Sequence, residues 1–220
     1  MDLLEGVVSR RSIRGFKPTP VPREVITKIL NAASLSPSFS DSQPWEVVVV
    51  SGSKKNELSK NLRELGKADV VTNPDLPFPA TWTPEIEKRV KDHGARRFAT
   101  LGIGREDTQK RKELTLQNLD FYGAPCALFL FMDRSLTSWS LFDIGLFAQS
   151  ICLAAHSCGI GTCLQASVTN YPDVIRELLG IPKTKKLIIG IAMGYPDYEA
   201  RLNDYRAARI GLDDFVQWHT

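Results

Sequence analysis

Small hydrogen-bonding side chains are concentrated in Ser36-Pro37-Ser38-Phe39-Ser40-Asp41-Ser42-Gln43-Pro44-Trp45. Upstream lies Arg10-Arg11-Ser12-Ile13-Arg14, and close to the C-terminus lie Arg206 and Arg209. A bound phosphate asks for positive charge, arranged as guanidinium forks, and for amide or hydroxyl donors. Arg10, Ser12, Arg206 and Arg209 supply that set if the two ends of the chain meet. Arginines at such positions would equally serve as ordinary surface charge. Three clusters distant in sequence, set around an apolar chain, point to a bound anion.

No obvious acid, base or nucleophile accompanies them. The three histidines, His93, His156 and His219, are paired by local sequence with neither serine nor carboxylate. There is no G-x-S-x-G elbow and no Walker lysine. Gly102-Ile103-Gly104 and Gly159-Ile160-Gly161 lack the third glycine of a dinucleotide fingerprint. Cys126, Cys152, Cys158 and Cys163 lie in apolar surroundings and read as reduced core thiols of a cytoplasmic protein. Cys158, Cys163 and His156 lack the further ligands of a metal site. Such a chain lets a cofactor carry the reaction, and a flavin suits it, because its ring accepts and donates hydride by itself. The reduced ring carries negative charge near N1 and O2, and Arg14 is the candidate cation beside it.

The frame that must position these residues is of ordinary composition. Of 220 residues, 43 % are hydrophobic and 24 % charged, enough for one substantial core, so 1–220 is expected to be a single domain. A formal charge of +3, without a long basic block, argues against a nucleic-acid partner. The acidic N-terminus has no signal pattern, and no stretch is expected to approach the roughly 20 apolar residues of a membrane span.

Periodicity predicts a short helix over 2–9, carrying Leu3, Leu4, Val7 and Val8 on one side, and a second over 24–35. Residues 45–50 read as a buried strand bounded by Ser51-Gly52, followed by a polar amphipathic helix over 54–65. Pro74, Pro77, Pro79 and Pro84, with Phe78 and Trp82, mark an irregular excursion, and helices are predicted over 85–98 and 107–119. The segment 73–119 is therefore expected to form a lid or substrate wall. Further strands are predicted over 125–132 and 186–193, with helices over 141–157 and 174–179. The apolar residues Leu212, Phe215, Val216 and Trp218 need something to pack on, such as another subunit. Few parallel βαβ units can be drawn, which favours an α+β sandwich.

With these pieces in order, the chain resembles the FMN-dependent nitroreductase family, and within it the branch of nitrobenzoate and nitrobenzene reductases. The resemblance rests on Arg10 to Phe16, Ser36 to Ser38 with Ser42 to Trp45, and Gly123-Ala124-Pro125. It continues through Gly159 to Cys163, Leu179 to Pro182, Gly190 to Gly194 and Arg206 to Arg209. It implies an α/β/α sandwich with a mainly antiparallel sheet, and a homodimer that exchanges C-terminal arms and builds two FMN sites at its interface. Arg10, Arg11, Ser12 and Arg14 then hold phosphate, ribityl and the N1–O2 edge. Ser38, Phe39 and Ser40 cross the interface to the flavin, with Asp41 standing where the family usually has asparagine. A backbone amide at Gln165 or Ala166 faces N5, Arg206 and Arg209 grip the phosphate, and Asn73 lies near the ring. The implied reaction is ping-pong: NADH or NADPH reduces FMN, and a small electron-poor aromatic, a nitro compound becoming a hydroxylamine, takes the electrons. Phe39, Phe78, Trp82, Phe121 and Tyr122 are the candidate aromatic wall, and Arg97 or Arg105 could draw in a carboxylate. Quinones, enones, free flavin or halogenated phenols are the alternative acceptors, and a non-enzymatic flavin-binding protein is the alternative of another class.

Overall fold

The computed structural model describes residues 2–219. Four strands, β1 (Glu46–Ser51), β2 (Cys126–Asp133), β3 (Gly161–Gln165) and β4 (Lys185–Gly194), form one sheet in the order β1-β2-β4-β3, with every pair antiparallel. The seven helices are α1 (Leu3–Ser9), α2 (Arg23–Ala33), α3 (Gly52–Lys67), α4 (Pro84–Thr100), α5 (Thr108–Leu119), α6 (Ser138–Ser157) and α7 (Pro172–Leu179).

The continuous apolar run of β2 is explained by burial on both faces. Ala127, Phe129 and Phe131 point into a core shared with Leu58 and Leu62 of α3, Leu116 and Leu119 of α5, and Ile175 of α7. Cys126, Leu128, Leu130 and Met132 point the other way, against Ile26 and Ile29 of α2 and Ile144, Phe147 and Ile151 of α6. Period-two alternation thus feeds two helical layers, giving the α/β/α sandwich.

Local signals set several element ends. The Asp2 carboxylate accepts the Leu3 N–H at 2.7 Å, capping α1. Pro22 precedes α2, where a missing N–H costs little, and Gly180 closes α7 in a left-handed conformation (φ 66°). The short strand β3 was not anticipated from sequence, and three helices begin two or three residues earlier than their periodicity indicated. One expectation is corrected: α6 is long and apolar enough to cross a membrane. The reason is that Asp143 is its only acidic residue and it holds no lysine or arginine. In this fold the helix packs one side on β2 and α2.

Not all apolar residues find cover within the chain. Leu3, Leu4 and Val8 of α1, Phe142 of α6, and Leu212, Phe215 and Trp218 of the tail are exposed. In α4 no residue is buried.

Candidate cofactor site

The N-terminal arginines are placed by backbone pairing rather than by a helix. Beyond α1 the chain runs extended beside β3 and the end of β4. The Ile13 N–H donates to Thr162 O, and the Lys17 N–H to Tyr195 O, both at 2.9 Å. This close approach needs glycine: a Cβ on Gly161 would lie 2.7 Å from Ile13 Cγ1, and one on Gly15 would lie 2.4 Å from Ala200 Cβ.

A single side chain then ties the tail to this segment. Asn203 is buried, and its amide donates to Gly15 O at 2.9 Å and Asp197 O at 2.6 Å. Its side-chain oxygen accepts the Arg14 N–H at 2.7 Å, and its backbone carbonyl accepts from Arg11 Nη1 at 2.8 Å. The clusters at the two ends of the sequence thereby meet. Asn203 was not singled out from sequence, because a lone asparagine in a polar tail carries no local signal.

Arg10, Arg11, Ser12, Arg14, Arg206 and Arg209 line one cavity of about 560 Å³, closed by Val7, Val8, His93, Gln149 and Tyr205. A recess of about 250 Å³ adjoins it, bounded by Gly159 to Thr162, Pro196 and Tyr198. Among the described residues, no carboxylate forms an ion pair with any of these arginines. Arg10 Nε is buried with no acceptor at all. A guanidinium charge without a counter-charge is costly when partly buried, and an anion in the cavity would answer the charge of these arginines. The donor set therefore fits the phosphate group of a flavin mononucleotide. A cavity of about 730 Å³ lies between α5, Leu101, Ile103 and Arg201, and it holds none of the expected cofactor residues. We place the site where the charge is unpaired, not where the volume is largest.

The field of the cavity is felt by its neighbours. Burial, followed by Arg14, Arg97, Arg96 and Arg209, holds the His93 imidazole below its ordinary pKa. Burial pushes the Cys163 thiol up, against the opposing pull of Arg14 and Arg97. Three of the four cysteines are buried and all four are free.

The other expected site residues divide. Ser38, Phe39, Ser40 and Asp41 form a tight turn against the start of α6, outside the arginine cavity of the same chain. Ser40, Asp41 and Gln43 all have positive φ (51°, 55° and 45°), a concentration of strained backbone. Asp143 holds the turn by accepting the Phe39 N–H at 3.1 Å, and Asp41 accepts from Gln43 Nε2 at 3.0 Å. The Phe39 ring stacks on Trp139, centroids 5.5 Å apart. Trp139, a residue that sequence reading passed over, extends the aromatic surface. Gln165 is buried, with its amide donating to Asn118 O and Oδ1 at 2.7 Å, so its side chain serves to tie β3 to α5. Ala166 follows directly. Asn73 donates to Asp173 in the first turn of α7 at 2.6 Å and is not among the residues lining the arginine cavity.

The aromatic wall is corrected in part. Phe78 and Trp82 are exposed, as a wall requires. Phe121 is fully buried, edge-on to Phe129 at 5.8 Å, and Tyr122 is buried beside it. Positive φ at both (60° and 54°) turns them inward, so they are core residues and not cleft walls. The Tyr122 hydroxyl accepts from Arg97 Nη2 at 3.5 Å. Arg105 borders a separate shallow recess with Phe98 and Arg111.

Comparison with known proteins agrees with this geometry. The nitroreductase family model matches residues 7–195. Nitroreductase NfnB of Mycolicibacterium smegmatis is 35 % identical over 213 residues, 96 % of this chain and 90 % of that protein. A 4-nitrobenzoate reductase of Pseudomonas putida is 33 % identical over 212 residues, 96 % and 93 %. Among solved structures, the FMN-dependent NfnB of Mycobacterium smegmatis in complex with NADPH superposes with a TM-score of 0.94, at 33 % identity over 99 % of this chain and 97 % of that one. The FMN- and NADPH-dependent NfnB of Sphigopyxis sp. strain HMH gives 0.95, at 29 % identity over the whole of both chains. With its arginine cavity, its antiparallel sandwich and a match spanning most of its length, this chain belongs to the nitroreductase family.

Proposed function

We propose that this protein is an FMN-dependent NAD(P)H nitroreductase that reduces nitroaromatic compounds to hydroxylamines in two-electron steps. The observation that carries the reading is the convergence of five arginines on one cavity, none of them ion-paired to a carboxylate among the described residues. Relatives named as 4-nitrobenzoate and nitrobenzene reductases support the acceptor class, and relatives described as FMN- and NADPH-dependent support the cofactors. When bound, FMN supplies hydride acceptance and donation. Arg10, Arg206 and Arg209 hold its phosphate, Ser12 supplies a hydroxyl donor, and Arg11 is preset by its bond to Asn203. Arg14, with its backbone fixed by the same asparagine, stands beside the N1–O2 edge.

The functional unit on this reading is a homodimer, each chain a single domain, with the tail exchanged onto the partner. The exposed apolar residues of α1, of the tail and of α6 around Phe142 and Gly145 support it. So does the Ser38–Asp41 turn, seated at Trp139 and Asp143, whereas the cavity meets α6 at Gln149. Trp139 and Gln149 are about 15 Å apart along the helix axis. A partner subunit would bring its own turn to the cavity, placing Ser38, Phe39, Ser40 and Asp41 at the flavin, with the Gln165–Ala166 backbone and Asn73 as further contacts. Residues 73–119 form the lid, with Phe39, Phe78 and Trp82 facing the aromatic acceptor. The free, mostly buried cysteines support a cytoplasmic setting.

Denaturing the purified protein should release a yellow compound with the mass of FMN, and anaerobic NADPH should bleach the holoprotein. Release of FAD, or of nothing, would overturn the cofactor. Steady-state rates across nitrobenzoates, nitrobenzene, quinones and halophenols test the acceptor, and a nitroarene rate far below that of another class would move the function there. Removing the tail from Gly211 onward should yield monomer and lose flavin, and a monomer that keeps FMN would contradict the exchanged arm.

A further inference from the structure

His93 lies on α4, in the excursion, yet it lines the same cavity as Arg10, Arg14 and Arg209. Its Nδ1 is 2.9 Å from the Tyr205 hydroxyl, and the two rings meet edge to face with centroids 5.2 Å apart. Tyr205 is buried and belongs to the tail, two residues beyond the Asn203 tie. This contact is where the excursion and the tail meet over the cavity. With Nδ1 engaged, Nε2 has no protein partner among the described residues, on a side chain that lines the cavity.

The charges that act most strongly on this imidazole are of one sign. Arg14 faces it from the N-terminal segment, Arg209 from the tail, and Arg96 and Arg97 from its own helix, with Tyr205 as the neutral neighbour. Burial and these four cations disfavour a proton on the ring. An anion in the cavity would compensate. A phosphate monoester carries between about 1.5 and 2 negative charges near neutral pH. It would cancel the arginine field and offer an acceptor to Nε2.

We propose that His93 is a proton-coupled ligand of the anion cavity: as a phosphate monoester enters, His93 takes a proton from solvent and its imidazolium joins the arginines as a donor to the anion. Only an N–H bond forms. Both ring nitrogens then donate, Nδ1–H to the Tyr205 oxygen and Nε2–H to the anion, and the hydroxyl can exchange donating for accepting because it does both. The inference rests on the FMN reading for its natural ligand but not for its test. Binding raises the His93 pKa, so the gain in affinity is complete below the free-protein value and is lost as pH rises through the value in the complex.

The test follows the imidazole C2 protons by NMR through a pH titration of the protein stripped of FMN and of the same protein reloaded, with His93 assigned from the His93→Gln variant. The expected result is a His93 pKa higher by about one unit in the loaded form, a tenfold change in proton affinity. Calorimetry of FMN binding in buffers of different ionisation enthalpy gives a second readout. Wild type should take up more protons than His93→Gln, and the phosphate's own proton, common to both, cancels in that difference. Tyr205→Phe should keep the uptake while loosening the ring. A His93 titration that does not move on loading, or equal proton uptake by wild type and His93→Gln, overturns the proposal. If FMN does not bind, the cofactor reading fails, and the same NMR titration with inorganic phosphate decides the proposal by the same criterion.

Discussion

Arginine occurs in two settings in this molecule, and the contrast separates stability from function. Around Asp75 every charge is answered. Its carboxylate accepts from Arg134, from Arg176 and, at 2.8 Å, from the Leu187 N–H. Arg176 also donates to Asp173 at 2.8 Å and to Lys185 O at 3.1 Å. The Asp75 and Arg176 side chains are each 5 % exposed. This knot fastens the start of the excursion to β4 and α7. Around the cavity of Arg10, Arg14 and Arg209 no carboxylate among the described residues answers. Each knot holds one guanidinium Nε without an acceptor, on Arg176 and on Arg10. The charge of Arg176 is neutralised by two carboxylates, and that of Arg10 by none, so only the second setting is left incomplete without a ligand.

Breaking the paired setting should give the largest effect. Asp75→Asn leaves the buried Arg176 charge short of its main partner, at an expected cost of about 3 to 5 kcal/mol in urea unfolding. Burial pushes the Asp75 carboxyl up, but the bonds from Arg176, Leu187 and Arg134 outweigh it and hold the group below the ordinary range. Its contribution is therefore present above the unfolded value of about 3.9 and is lost as pH falls through the lower folded value. The stability gap between wild type and variant should close in strong acid, and a gap independent of pH would remove the ionic explanation. Asn203→Ala touches both stability and the cavity, because it frees backbone groups of Arg14, Gly15 and Asp197, while the Arg11 bond to the backbone carbonyl at 203 is kept. It should cost about 3 kcal/mol of stability and lower FMN content as well. Arg209→Ala should do the opposite of Asp75→Asn. FMN binding should weaken by about 2 kcal/mol, read from the dissociation constant. Unfolding of the FMN-free protein should change by less than about 0.5 kcal/mol, since Arg209 bonds only to Ala207 O and Ala208 O beside it.

The two settings also differ in how far sequence could reveal them. That Arg10, Ser12, Arg206 and Arg209 would meet at one cavity was legible because an anion site demands their residue types. The Asp75 knot was not, because it joins residues 75, 134, 176 and 187, which no periodicity connects. The sheet divides in the same way. β2 announces itself by seven consecutive apolar residues, whereas β3 (Gly-Thr-Cys-Leu-Gln) is short and half polar. It is held by pairing with β4, where Gly190, opposite Gln165, leaves room for Val168 just beyond the strand: a Cβ on Gly190 would lie 2.3 Å from Val168 Cγ2. Asn203, Tyr205 and His93 become site residues only through the fold. Phe121 and Tyr122 erred the other way, because aromatics before Gly123 look like the end of a strand until their positive φ turns them into the core.

The smallest expected effect tests whether exposed aromatics belong with the ligand-seeking setting or with neither. Phe39 and Trp139 stack at 23°, yet they remain 58 % and 60 % exposed. An exposed stacked pair contributes at the low end of about 0.5 to 1.5 kcal/mol, too little to justify two large apolar rings in water as a stability device. A flat acceptor would gain more from them than the fold does. A double-mutant cycle of Phe39→Ala and Trp139→Ala, read in urea unfolding, should return a coupling of about 0.5 kcal/mol. Read in kcat/KM for a nitrobenzoate, either single substitution should lose severalfold, mainly through KM, and the double should lose little more, because one ring without the other is no longer a platform. Flavin content should stay near wild type in the Trp139→Ala protein. Losses that appear equally in stability and in kcat/KM would return the pair to a structural role, and the unpaired arginines would then stand alone as the ligand-seeking part of the molecule.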